Sequence, residues 1–282
     1  MRSKIGECKS VASELEFGKL QTEKLKLIFT LAPCRGQTTV ITEKAKIEVG
    51  ELLCGALKAI DALETILDVL QNLKLDEKFQ SHGSSLPLKK LLTTVRNTER
   101  LSQIETSSLV FHYGVVADAE LCYVEIEEKT PGAAIDWEQW VVPFVGSPHF
   151  VQAWIADAEY DKWQNAQDPL IYKAANRDYS SLPMRSNGLP PPVAQVVVDI
   201  SQNPGRWEFR SGYIEAVGSV MWLSGLFWRY VGIDHKERLA GFSQASIKQV
   251  AEDVVRISIS ETSFTDQSTR NLQDRLRNVL YR

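Results

Sequence analysis

The sequence predicts an α+β fold, and three features carry that expectation. Apolar residues recur at helical spacing in the first third of the chain. They alternate at strand spacing in several later segments. The two patterns then mix without a regular βαβ rhythm. A compositional shift divides the chain further, because all seven Trp lie between Trp137 and Trp228 and none lies in the first 136 residues. The expected organisation is a helical, hairpin-like region over residues 1–85. A Trp-rich mixed sheet with C-terminal helices follows over residues 86–282.

The elements follow in order. Val49, Leu53, Ala56, Ile60, Leu63, Leu67 and Leu70 step by four and three in turn, which predicts a helix from about Lys44 to Leu73, ahead of the polar SHGSS segment at 81–85. Ile5, Cys8, Ala12 and Leu15 keep the same spacing and predict a second helix folded back on the first. Such a stripe is first of all an internal packing seam. Recognition of a partner helix, or a homodimer through these helices, is the alternative use. After Pro87, the string LKKLLTTVRNTERLSQI continues in helical register. In ELCYVEIEE the parity then changes: Cys122, Val124 and Ile126 share one face, and Tyr123, Glu125 and Glu127 share the other. The same parity buries Ala194, Val196, Val198 and Ile200 in VAQVVVDI, and Ile257 and Ile259 in RISISE. WEFR and GYIEAVG read as strands punctuated by Gly205, Gly212 and Gly218. Ile247, Val250, Ala251 and Val254 suggest a helix behind a Ser246–Gln249 capping box. Leu272, Leu276, Val279 and Leu280 line a last helix, with Thr265 or Asp266 as its cap.

Composition narrows the function classes. With 282 residues, 44% apolar and 24% charged, the chain can bury a full core and is not mainly disordered. Its formal net charge of −4 has the wrong sign for a protein that grips nucleic acid directly. The charged start, MRSKIGECKS, predicts no secretory signal. The longest uncharged stretch, 141–156, is too short and too broken by Pro143, Gly146 and Pro148 to span a membrane. A cytoplasmic location is expected. Cys8, Cys34, Cys54 and Cys122 lie far apart without a CxxC pair, so they read as reduced thiols rather than zinc ligands.

Signatures of chemistry are absent. There is no P-loop, GxGxxG, HExxH or GxSxG, and no two of the four His form an i,i+4 pair. No catalytic, cofactor-binding or metal-ligating residue is assigned, and no cofactor is expected. Trp222, Phe227, Trp228 and Tyr230 crowd into MWLSGLFWRY and read as core. Two carboxylate groups stand out: Asp118, Glu120, Glu125, Glu127 and Glu128, then Asp157, Glu159 and Asp161. Solvated strand edges and helix starts are the ordinary explanation for such groups. Paired carboxylates also hold a divalent cation in a metal-dependent hydrolase, or face a basic protein partner. A strand face that presents Tyr123 beside Glu125 and Glu127 suits docking, because charge speeds encounter and an aromatic anchors. The candidate docking residues are Tyr123, Glu125, Glu127, Glu128, Asp157, Glu159 and Asp161.

The strings YDKWQNAQDPLIYKAANRDYSSLPMRSNGLPPP (160–192) and NPGRWEFRSGYIEAVGSVMWLSGLFWRYVG (203–232) resemble the immunity protein 52 family. Proteins of that family are bacterial antidotes to polymorphic toxins, often effectors of the type VI secretion system. The stretch before residue 86 has no counterpart in the resemblance. It implies a non-enzymatic protein that binds a basic, nuclease-type toxin and blocks or distorts its active site. It implies no catalytic residues. The hydrolase and the helical adaptor remain the competing readings.

Overall fold

The computed structural model describes residues 21–33, 39–42, 45–48, 53–55, 57–131, 135–265 and 267–282. The first described element is the long strand β1 (Glu23–Pro33). Its alternation sends Leu25, Leu27 and Phe29 to one face and Lys24, Lys26 and Ile28 to the other. β2 (Thr39–Thr42) and β3 (Ala45–Glu48) pair with each other, and β4 (Leu53–Gly55) pairs with the end of β1. Helix α1 (Ala59–Asn72) follows. β5 (Phe79–Ser81) and β6 (Ser84–Leu86) then form a tight hairpin, turned by His82 and Gly83 at φ of 50° and 74°. After α2 (Leu88–Thr98) come β7 (Ile104–Glu105), β8 (Leu109–Val116) and β9 (Leu121–Glu128).

The second half starts with α3 (Trp137–Val145), capped by Asp136, and with β10 (Phe150–Asp157). Next come α4 (Ala158–Asn165), α5 (Pro169–Ala174), β11 (Met184–Ser186) and β12 (Val196–Val198). A hairpin of β13 (Glu208–Arg210) and β14 (Tyr213–Glu215) precedes β15 (Val220–Leu223), α6 (Gly225–Val231) and α7 (Ile233–Ala240). The last elements are β16 (Ser246–Ala251), β17 (Val254–Ser258) and α8 (Arg270–Tyr281).

The large sheet runs β16-β17-β15-β10-β1-β9-β8-β7-β5-β6, antiparallel throughout, with β4 added beside β1. Each face buries its own core. On one, Leu25, Leu27, Val124, Ile126 and Ala153 meet α1, α2 and α3 through Leu63, Leu70, Val95, Trp140 and Phe144. On the other, Ile28, Trp154, Met221, Leu223 and Ile257 meet α6, α7 and α8 through Phe227, Trp228, Leu239, Leu276 and Leu280. A small satellite core of Ala166, Tyr172, Val198 and Ile200 holds the α5–β12 region. Among the described residues, no helix is long and apolar enough to cross a membrane.

The α+β class, the β9 alternation and the final helix are as the sequence predicts. Several details differ. The helix expected over 44–73 is α1 alone, from Ala59, and residues 45–48 and 53–55 are strands. Pairing with β1 captures Leu53–Gly55, and glycines at 50 and 55 weaken any helix through that stretch. Among its described residues the early third supplies β1, which lies between β9 and β10. Ile5, Cys8, Ala12 and Leu15 lie outside the described residues. The helix expected behind Ser246 is instead the β16–β17 hairpin, in which Ile247 pairs with Ile257. Its apolar residues fit both periods, and pairing with β15 decides between them. Val196, expected in the core, is 63% exposed, because β12 joins only the short β11 strand and buries Val198 instead. Cys122 is buried, and its thiol donates to the Leu57 carbonyl at 3.8 Å.

Candidate functional site

The site is built on the polar face of the β1–β9 pair. Antiparallel register sets Lys24 opposite Glu127, Lys26 opposite Glu125 and Ile28 opposite Tyr123. Opposite charges at facing positions favour this register, and a one-residue slip would push them into the apolar core. β10 runs on the other side of β1 and passes straight into α4. Asp157 caps that helix by accepting from the Tyr160 N–H at 2.6 Å. One turn on, Asp161 reaches back to Lys24 Nζ at 2.5 Å. Glu125 binds Lys26 Nζ at 2.9 Å and lies 3.9 Å from Lys24.

A groove of about 370 Å³ opens over these pairs, walled by Ala158, Asn165, Ala166, Ile171 and Trp207. Trp207 is placed by its backbone, since its N–H donates to Asn165 Oδ1 at 2.8 Å. Gly205 N–H donates to Gln164 Oε1 at 2.9 Å, and Asn203 Nδ2 donates to the Gln164 carbonyl. A Cβ at Gly205 would stand 2.6 Å from the Tyr160 ring, so the loop can approach α4 this closely only with glycine. From behind, the buried Arg277 donates to the carbonyls of Pro204 and Arg206 and ion-pairs with Glu215. The Lys26 ammonium lies 4.8 Å from the Trp207 ring centroid, with Trp154 and Tyr123 a little farther.

The charges here respond to burial in different directions. Burial alone would lower the Lys24 pKa, but Asp161 and Glu125 outweigh it and hold the ammonium above its ordinary value. Burial alone would raise Glu125, yet Lys26 and Lys24 pull it below its ordinary value. Glu127 goes the other way. Burial pushes its carboxyl up, and the negative charges of Glu125 and Asp161 offset the relief that Lys24 and Lys26 supply.

Of the seven candidate docking residues, the fold brings Tyr123, Glu125, Glu127 and Asp161 to this one face. Asp157 is buried as a helix cap. Glu128 points to the opposite face, where it is buried and accepts from the Glu23 N–H at 2.8 Å. Glu159 is exposed on α4. The acidic surface suggested by the sequence is thus largely neutralised from within by Lys24 and Lys26. Both lysines were missed, although EKLKLIF (23–29) carries the same period-two alternation as β9. Trp207 and Ile171 were also missed, because only tertiary folding brings them to the groove. Among the described residues, no group of His, Cys, Asp and Glu is arranged to hold a metal ion.

The 170–209 stretch exposes Leu170, Ile171, Met184, Leu189, Val193, Val196 and Phe209, of which Ile171 lines the groove. The stretch is fixed in place: Val198 N–H donates to the Gln167 carbonyl at 2.8 Å, and Asn187 ties the loop from Leu189 to Gln195.

No family model matches the chain, and none of the curated proteins does. Among solved structures it is similar to the Pseudomonas aeruginosa T6SS protein PA0821, at 12% identity and a TM-score of 0.48. That likeness covers 92% of this chain and 73% of the other, and is too slight to carry any conclusion about function.

Proposed function

We propose that this chain is an immunity-type protein that binds one cognate toxin in the cytoplasm of the producing cell. The toxin is of the basic, nuclease type carried by type VI secretion. Binding covers or distorts the toxin's active site, and the chain turns over no substrate of its own. The sequence resemblance over 160–192 and 203–232 supports this reading, and those segments contribute Asp161, Asn165, Ile171 and Trp207 to the groove. The observation that carries it is the set of seven large apolar side chains exposed within 170–209, on a stretch held in shape by its own hydrogen bonds. Large apolar side chains left exposed on an ordered stretch, one of them (Ile171) lining a polar groove, suit a protein-binding face. The stretch is already ordered by its own hydrogen bonds and by the satellite core of Ala166, Tyr172, Val198 and Ile200, so little ordering cost remains on binding.

The electrostatic part of the binding is narrower than an acidic face would give. Lys24 and Lys26 neutralise Asp161 and Glu125, so among the groove's carboxylates the steering of a basic partner falls to Glu127. Co-expression with the product of the adjacent open reading frame tests the proposal. Cells that carry both should grow, and growth should fail when Leu170→Glu and Val196→Glu are introduced together. Death of cells that express ample wild-type protein would refute it.

A further inference from the structure

We infer that the groove seats one basic side chain of the bound protein, its cationic head paired with Glu127. This rests on the proposal that this face binds a protein, and it names the chemistry of the contact. Three carboxylates line the groove. Two are already partnered within the chain, Asp161 by Lys24 at 2.5 Å and Glu125 by Lys26 at 2.9 Å. Glu127 lies two residues along the same strand face, opposite Lys24, and among the described residues its carboxylate has no side-chain hydrogen bond or close ion pair. Its carboxylate is half-buried, and burial with the repulsion of Glu125 and Asp161 outweighs the attraction of Lys24 and Lys26, so its charged form stays disfavoured. A cation brought in by a partner would relieve that penalty, and no rearrangement of the internal pairs is needed.

The rest of the groove suits the stem of such a side chain. Ala158, Ala166 and Ile171 offer short or apolar walls against which a run of methylenes packs. The groove's own third lysine, Lys162, is exposed, with its ammonium 5.1 Å from the centroid of the Trp163 ring. A volume of about 370 Å³ admits a single long side chain and leaves room for water around its head.

The experiment is an NMR titration of the full chain with Nα-acetyl-arginine methylamide, following the Glu127 side-chain carboxyl. Nα-acetyl-norleucine methylamide serves as the uncharged control. The arginine derivative should give a saturable shift at Glu127 and lower its apparent pKa. The norleucine derivative should bind about tenfold more weakly. Glu127→Gln, which removes no internal partner, should abolish the difference between the two derivatives. Equal binding of both, a preference that survives E127Q, or no saturable response to the arginine derivative would each overturn the inference. The titration needs no toxin, so its failure and a failed rescue in co-expression are distinguishable results.

Discussion

The two faces of the β1–β9 pair are made by alternate residues of the same two strands, yet they are built on different physics. Leu25, Leu27, Val124 and Ile126 lie against α1, α2 and α3 with no polar atom to satisfy. One residue away, Lys24, Lys26, Glu125 and Glu127 form a partly buried set of charges under an open groove. These four residues are held by transfer of apolar surface from water, a contribution that does not depend on pH. The second face is held by charge pairing, which gains little net stability but fixes geometry and leaves one carboxylate unmatched.

The largest effects should come from breaking either face at its centre. Lys24→Met removes the partner of the buried Asp161 and should cost roughly 3–5 kcal/mol at neutral pH in denaturant unfolding. That loss should shrink in acid, where the orphaned carboxylates take up protons. Leu27→Ala should cost about 2–5 kcal/mol through the cavity it leaves, with no such dependence on pH. If the two variants followed the same pH course, the contrast between the faces would be lost.

Neighbouring carboxylates sharpen the comparison, because they should act with opposite sign. Glu125 titrates below its ordinary value of 4.5, so its stabilisation is complete above that pH and is lost as pH falls through its lowered folded value. Glu125→Gln should cost about 1.5–3 kcal/mol near neutrality and flatten the acid limb of the stability profile. Glu127 titrates above 4.5, so the folded state holds its proton more tightly than the unfolded chain does. Stability should therefore fall slightly as pH rises from 4.5 through that raised value. Glu127→Gln removes this slope and should change neutral-pH stability by no more than about 0.5 kcal/mol, the smallest effect of the set. Urea unfolding of the two glutamine variants from well below pH 4.5 to neutrality checks both signs.

What was legible in the sequence follows the range of the forces involved. Cys122, Val124 and Ile126 against Tyr123, Glu125 and Glu127 is a local alternation, and β9 shows it unchanged. Leu276 and Leu280 announce α8 equally well, although the helix starts at Arg270, after Thr269, later than the caps suggested. Segments whose apolar residues fit two periods were misread. Ile247, Val250 and Val254 satisfy a helix face, but they lie on the β16–β17 hairpin, which β15 extends with a strand that no local window contains. The groove was half legible. Its carboxylates were visible, whereas their neutralisation depends on β1 pairing with β9 about a hundred residues away, and on α4 folding back to Lys24. Trp207 reaches the groove only because Gly205, Asn165 and Arg277 hold its loop.

The most direct measurement is calorimetric titration of the purified chain with the product of the adjacent open reading frame. A one-to-one complex of about nanomolar affinity is expected, weakened at least about a hundredfold by the paired Leu170→Glu and Val196→Glu substitutions. Absence of any complex, or equal affinity for the substituted protein, would contradict neutralisation through the 170–209 surface.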